Sequence, residues 1–300
     1  MIKISSILNF LKAESIPFTF IGNSTECVEG FSSLAHYKPG SFTWVKSTKN
    51  IPEGFDLNQT ALIFLAEGIG ICPSSNVIRT PESKRAFFST IEHFYAQEEE
   101  RPAVGQFTYI SPRVTLGKNV RIGHNCTLDG DITIGDGTII WNNVVIINRV
   151  QIGKNCDIHS GAVIGHDGFG YTEDEAHKKI MVKHFGGVVV GDDVLVSDNV
   201  CICRGTIDDT VIASGTKIDN LSHIAHNCIL EENTALACPC TLAGSVHIQK
   251  NGYLGAATIR NQITIGKDAF VGYGAVVIKD VPPGLTVVGA PAKPFIKKEG

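Results

Sequence analysis

From residue 110 onward the apolar positions of this chain fall on every sixth residue. Ile110, Leu116, Ile122, Leu128, Ile134, Ile140, Ile146, Ile152, Ile158 and Ile164 stand in one unbroken frame. A six-residue period fits neither a 3.6-residue helix nor a simple alternating strand. It predicts a hexapeptide β-solenoid, each aliphatic side chain pointing inward from one side of a triangular coil. Gly117, Gly123, Gly135 and Gly153 follow their aliphatic residues and permit the bend. The frame breaks after Ile164, through GHDGFGYTEDEAHKKIMVKHFGG, and returns at Val190, Val196 and Ile202. A four-residue insertion follows. Ile212, Ile218, Ile224, Leu230, Leu236, Leu242, Ile248 and Leu254 continue it, and after a further slip come Ile265, Val271 and Val277. Three hexapeptides make a coil of 18 residues, so residues 18 apart stack at about 4.8 Å, the ordinary strand spacing.

Ahead of the solenoid the periodicity changes. Ile4, Ile7, Leu8 and Leu11 share one face of an amphipathic helix, and Asn9, Lys12 and Glu14 interrupt the run that a signal peptide would need. Apolar runs at 18–21, 42–45 and 61–65 read as strands. Thr80-Pro81-Glu82 predicts a helix start, with Thr80 as N-cap and Pro81 at the first helical position. Phe87, Phe88, Ile91, Phe94 and Tyr95 form its apolar face, and residues 97–102 are a polar connector. The expected organisation is a small α/β domain over 1–100, a parallel β-helix over 103–290 and a short tail over 291–300.

Composition narrows the function. The chain has 300 residues, 43% hydrophobic and 19% charged, with a net charge of −4. The negative balance argues against a nucleic-acid partner. No apolar run reaches transmembrane length. Nine cysteines stand at 27, 72, 126, 156, 201, 203, 228, 238 and 240. An odd number, several of them inside hexapeptides, reads as reduced thiols in a cytoplasmic protein. Cys201–Cys203 and Cys238–Cys240 have C-x-C spacing, not the C-x-x-C of a zinc site, so no metal is expected.

The densest chemistry is IDNLSHIAHN at 218–227, which puts Asp219, Asn220, His223 and His226 in one coil. Each of the first three could equally face outward and hydrogen-bond the turns. For His226 the functional reading prevails, on the resemblance that follows.

The runs GHDGFGY at 165–171, RGTIDDT at 204–210, KIDN at 217–220, IAHN at 224–227 and LAGS at 242–245 resemble, in order and spacing, the UDP-3-O-acylglucosamine N-acyltransferases of lipid A synthesis. GFSSLAHYKPGSFTWVKSTKN at 30–50 is similar to their nucleotide-binding domain. The resemblance implies a mainly β fold with a left-handed coil, although crossover handedness alone would favour the other hand. It implies a bacterial, cytoplasmic homotrimer with clefts between solenoids. By the same resemblance His226 becomes the general base and the Gly244 N–H the oxyanion donor, and the two, 18 residues apart, stack on neighbouring coils. Amide formation from a thioester needs such a base and donor. An imidazole suits the first role near neutral pH, and no Ser–His or Cys–His pairing demands a covalent intermediate. Acyl-CoA or an acyl carrier protein thioester is the co-substrate, with no permanently bound cofactor. A nucleotide-linked amino sugar is the acceptor. Trp44 and Lys49 would take the nucleotide, with Trp44 as a stacking face, the competing reading being a core tryptophan. The loop with Phe169 and Tyr171 would wall the acceptor or acyl site of a neighbouring subunit.

The departures carry expectations too. Gln262, with Arg260 nearby, stands where the family has a second histidine. Asn50 replaces an expected tyrosine, and Cys203 an aspartate. The chain ends soon after GLTVVGAPAKPF, which looks like the tail of acetyl-CoA-dependent hexapeptide acetyltransferases rather than a helical carrier-protein dock. Tyr273, between Gly272 and Gly274, could close an acyl channel. Together these features lean toward a short acyl group from CoA and a surface-polysaccharide sugar. A different class, the zinc-dependent β-helix carbonic anhydrases, needs three histidines on one metal. His223 and His226 are an odd offset apart on a strand and point to opposite sides. A non-catalytic scaffold would need no base and oxyanion donor in register.

Overall fold

The computed structural model describes residues 1–71, 73, 75–96 and 102–294. Cys72, residues 97–101 of the predicted connector and residues 295–300 of the tail lie outside the described residues. The chain divides into two units, Met1–Glu99 and Glu100–Gly300.

The first unit is a five-stranded mixed sheet with two helices. Its strand order is Thr19–Ile21, Asn76–Thr80, Leu62–Ala66, Ser41–Val45, Gly30–Phe31, with only the first pairing antiparallel. The central strands are buried on both faces, which is why Leu62-Ile63-Phe64-Leu65 reads as a continuous apolar run. Phe42, Phe64 and Ile78 face helix α1 (Ile4–Ala13) and helix α2 (Ser83–Tyr95), while Val45, Ile63, Leu65 and Val77 fill the other side. Helix α1 buries Ile4, Ile7 and Leu11 as its spacing predicts.

Helix α2 begins later than predicted. Thr80 closes the strand Asn76–Thr80, which the sequence reading missed, and helical geometry starts at Ser83. The ladder with Leu62–Ala66 holds residues 76–80 extended. The Thr80 hydroxyl still accepts the Glu82 N–H at 3.1 Å, as a turn acceptor outside the helix. Phe88, assigned to the apolar face, is 49% exposed; the buried stripe is Ser83, Ala86, Phe87 and Thr90.

The second unit is a parallel β-solenoid. Arg121, Ile139 and Asp157 pair at successive 18-residue offsets, as do Lys217, Ala235 and Tyr253. The offset grows where chain leaves the coil: Asp157 pairs with Leu195 around the 166–187 excursion, and Leu195 with Lys217 around the insertion at 204–209. It shrinks to 17 where Tyr253 pairs with Phe270. Every predicted inward residue from Ile122 to Val277 is buried. Leu116 is 37% exposed and Ile110 half-buried, because the first coil has a neighbour on one side only.

The corners are made largely by asparagine and aspartate. Asn119, Asn125, Asn143, Asn155, Asn199, Asn233 and Asp268 all have φ between 53° and 61°. These residues tolerate left-handed geometry better than other non-glycine side chains. Cys126, Cys156, Cys228 and Cys240 are buried inside coils, and the eight described cysteines are free thiols. Ile218 is fully buried between coils. Ile218→Ala should cost about 2–5 kcal/mol, read as a lower denaturant midpoint in chemical unfolding.

Candidate active site

The 18-residue stacking brings His226 and Gly244 together. A Cβ on Gly244 would lie 2.7 Å from both Cε1 and Nε2 of His226, so the imidazole rests on a position only glycine leaves open. The Ser245 N–H donates to the His226 carbonyl at 2.9 Å, and the Gln262 N–H to the Gly244 carbonyl at 3.0 Å.

The ring is fixed by its neighbour. His226 Nδ1 lies 3.0 Å from Asn227 Oδ1. The same oxygen accepts the Thr206 N–H at 3.1 Å and the Thr206 hydroxyl at 2.9 Å, while Asn227 Nδ2 donates to the Asp208 carbonyl at 3.0 Å. The amide therefore has one consistent orientation, and its oxygen requires the proton on His226 Nδ1. Nε2 is left with a lone pair above Gly244, the state a base needs. Thr206 and Asp208 come from the insertion at 204–209, so that departure from the repeat positions the imidazole.

At several other corners of the solenoid, the N–H two residues past the inward aliphatic is accepted by a side chain of the next coil, and at Cys238, Lys250 and Lys267 by one of the preceding coil. Lys118 donates to Asp136 and His124 to Asn142, both at 2.7 Å, and Asp198 to Asn220 at 2.8 Å. At the active-site corner this ladder stops. Gly244 offers no side chain to the His226 N–H, and the Gly244 N–H itself has no acceptor among the described residues. Both donors are free beside a hollow of about 490 Å³, lined among others by Phe169, His223, His226, Gly244, Asn261 and Gln262.

The other predicted residues divide. His223 borders the same hollow as His226, although their odd offset predicted opposite sides, because a corner lies between them; burial lowers its pKa below the ordinary histidine value. Phe169 is 88% exposed at the hollow's edge, and Tyr171 packs on it with ring centroids 4.8 Å apart. Asp219 and Asn220 sit at another corner and serve the turns: Asp219 accepts the Asn220 and Cys238 N–H groups, and Asn220 accepts that of Asp198. In one chain neither reaches the hollow. Tyr273 is not there either. It packs over Gly255 and meets the Tyr253 hydroxyl at 3.2 Å, outside the hollow. Cys203, where an aspartate was expected, is a buried thiol whose pKa is pushed up to about 11.

In the first unit Trp44 is half-buried, stacked on Phe87 and donating from Nε1 to the Ser83 hydroxyl at 3.0 Å. Lys49 is exposed in the short turn Thr48–Asn50. A hollow of about 700 Å³ opens at the start of α2, lined among others by Lys46, Glu82, Lys84, Arg85 and Phe88, with Arg85 paired to Glu82 at 2.7 Å, but by neither predicted residue. Sequence reading also passed over His184, which lies against His226 with ring centroids 5.3 Å apart. No periodic signal marks it, because it sits in the 166–187 excursion.

Comparison with known proteins places this architecture. Residues 131–166 match the bacterial transferase hexapeptide (six repeats), and 113–148 the hexapeptide repeat of succinyl-transferase. LpxA from Acinetobacter baumannii is similar at 27% identity and a TM-score of 0.59, covering 65% of this chain and 74% of that one. The UDP-N-acetylglucosamine acyltransferase of Francisella novicida is similar at 29% and 0.59, covering 64% and 69%. The solenoid is thus the left-handed parallel β-helix of the hexapeptide transferases.

Within that class, the UDP-3-O-acylglucosamine N-acyltransferase of Coxiella burnetii is 34% identical over 251 residues, covering 78% of this chain and 73% of that enzyme. The Wolinella succinogenes enzyme of the same name is 38% identical over 154 residues, 51% of this chain and 48% of its own length. This chain belongs to the UDP-3-O-acylglucosamine N-acyltransferase family. With some relatives, such as the Wolinella enzyme, the match spans only about half of their length.

Burial pushes the Cys203 and Cys228 thiols up to about 11 and 12, whereas Cys27 and Cys201 are exposed. Reactivity needs the thiolate and access to it. Iodoacetamide at pH 7.5 should alkylate Cys27 and Cys201 in the folded protein. Cys203 and Cys228 should react only after unfolding, with peptide mass spectrometry as the readout.

Proposed function

We propose that this protein transfers an acyl group from a thioester to the amine of a UDP-linked amino sugar, in lipid A precursor synthesis. One observation carries the reading: an imidazole with its Nε2 lone pair free rests on a glycine whose N–H has no acceptor. His226 Nε2 takes the amine's proton as nitrogen attacks the thioester carbonyl. The Gly244 N–H donates to the oxygen that becomes negative. Collapse breaks the C–S bond and releases the thiol. No group of the protein need be acylated. Phe169, His223 and Gln262 line the place where the reacting groups meet.

The co-substrate is an acyl thioester of CoA or of acyl carrier protein. The nucleotide docks on the first unit, at the hollow walled by Lys46, Lys84 and Arg85 with Phe88 as an apolar face. Trp44 then acts mainly through its packing on α2. Lys49 remains a candidate contact on the adjoining turn. The working form is a cytoplasmic homotrimer, in which a neighbouring copy covers exposed rings such as Phe169 and Phe185, 88% and 73% exposed. Asp219 and Asn220 support their coil in this reading.

A thiol-release assay on UDP-amino sugars with acyl-CoA and acyl-carrier-protein donors tests the activity. His226→Ala should lose about 10²–10⁴-fold in kcat with light-scattering mass unchanged. Near-wild-type turnover would remove His226 from the role of base.

Acyl length is a separate question. Tyr273 is held by Tyr253 and does not line the hollow, so its ring gives no reason to expect a blocked channel. The lipid A branch of this reading predicts a long acyl group. Each buried CH₂ is worth about 0.8 kcal/mol, or nearly fourfold. The specificity constant should therefore climb across a donor series from two to fourteen carbons. A maximum at two carbons with CoA would restore the short-acyl reading.

A further inference from the structure

The return arm of the 166–187 excursion presses a second imidazole on the base. His184 is 3% exposed and meets His226 at an interplanar angle of 87°. Its Nδ1 lies 2.8 Å from the Val182 carbonyl. A carbonyl only accepts, so Nδ1 carries a proton and Nε2 of the neutral ring presents a lone pair. That Nε2 is buried and has no partner among the described residues. A buried acceptor left unpaired costs about 1–3 kcal/mol, and in a native fold it asks for a reason. The loop backbone closes over both rings. A Cβ on Gly168 would lie 3.1 Å from His226 Cδ2 and 3.3 Å from His184 Nε2, and one on Gly170 would lie 3.0 Å from His184 Cε1.

The arm is anchored to the same insertion that fixes Asn227. The Phe185 N–H donates to the Thr206 carbonyl at 2.8 Å, the Gly186 N–H to the Gly205 carbonyl at 3.0 Å, and Arg204 Nε to the Gly186 carbonyl at 2.6 Å. His226 is thus held from two sides by segments outside the repeat: Asn227 fixes its tautomer and His184 packs against its ring.

We infer that His184 is a positioning residue for the general base, a neutral imidazole whose unpaired nitrogen stabilises the imidazolium formed on His226. The inference rests on the acyl-transfer reading and deepens it. The amine proton moves to His226 Nε2, the C–S bond breaks, and the leaving sulfur is protonated to the thiol. His184 gains and loses no proton. Its dipole acts on a charge that exists only once His226 is protonated, so the effect belongs to kcat rather than to KM. Few net charges compete. Asp167 accepts the His184 N–H at 3.4 Å and lies 4.0 Å from the Arg204 guanidinium. Asp209 is taken by Arg149 and by the Gly187 N–H, and Asp208 meets Asn227 through its carbonyl. Burial lowers the pKa of His223, and Cys203 and Cys228 are uncharged thiols.

Two variants of the full chain test this. His184→Phe keeps a flat ring without nitrogen, and His184→Gln loses the ring but can return a polar acceptor. In the phenylalanine variant kcat should fall about tenfold, while KM for both substrates stays within about twofold. The glutamine variant should retain more kcat than the phenylalanine variant. The acid limb of the kcat profile should move to lower pH, because His226 has lost support for its cation. A titration of the His226 ring protons by NMR, without substrate, should show its midpoint lowered in His184→Phe. Wild-type kcat and midpoint in that variant would overturn the inference. So would a matched loss of kcat and KM with a lowered melting temperature, or a phenylalanine variant better than the glutamine one. If the wild type transfers no acyl group, the functional reading fails, and the titration still decides the pairing of the two rings.

Discussion

Backbone hydrogen bonding between successive coils is the constraint on which the rest of this molecule depends. Most strands are only two or three residues long and cannot persist alone; each is held because the next coil repeats it at the same register. The inward aliphatic column supplies the burial, and the left-handed asparagine corners turn the chain at fixed intervals. A residue at one corner therefore has a predetermined neighbour on the next. Gly244 lies under His226 for no other reason than this register.

Chemistry enters where the regularity is broken. A perfect coil satisfies the corner N–H groups with side chains from its neighbour, as at Lys118 and Asp136. Glycine at 244 removes one such acceptor and makes room for an imidazole at the same stroke. The insertion at 204–209 then supplies Thr206 and Asp208, which orient Asn227, which orients His226. The site is a local defect in a repeat, stabilised by chain that has left the repeat. Donors left without partners at the edge of a hollow are what a developing oxyanion would require.

The first unit follows different physics. Its parallel central strands are buried on both faces, so a run such as Leu62–Ala66 is apolar throughout and says little about which side carries function. Trp44 illustrates the result. Its aromatic character suggested a stacking surface, but the sheet turns it toward α2, where Ser83 receives its N–H and Phe87 its face. The basic groups that do surround a hollow, Lys46, Lys84 and Arg85, come from two distant segments that only the sheet brings together.

Much of this could be read before any coordinates. A six-residue period needs no tertiary knowledge, because it records one inward contact per side of the coil, and the 18-residue offset between His226 and Gly244 follows by arithmetic. The start of α2 was misplaced because the strand Asn76–Thr80 is set by its partner Leu62–Ala66 rather than by its own alternation. Asp219, Asn220 and Tyr273 lie outside the hollow of one chain, because spacing along a coil gives neighbours but not the corner on which a hollow opens. His184 was invisible for the opposite reason. It belongs to a segment without period, and its place beside His226 is decided by hydrogen bonds from Phe185, Gly186 and Arg204 across the fold. Sequence alone determined the coil and its register, since both are short-range and repetitive. Only the tertiary structure decided what the non-repeating chain places against the His226 ring, since that depends on contacts between segments that share no period.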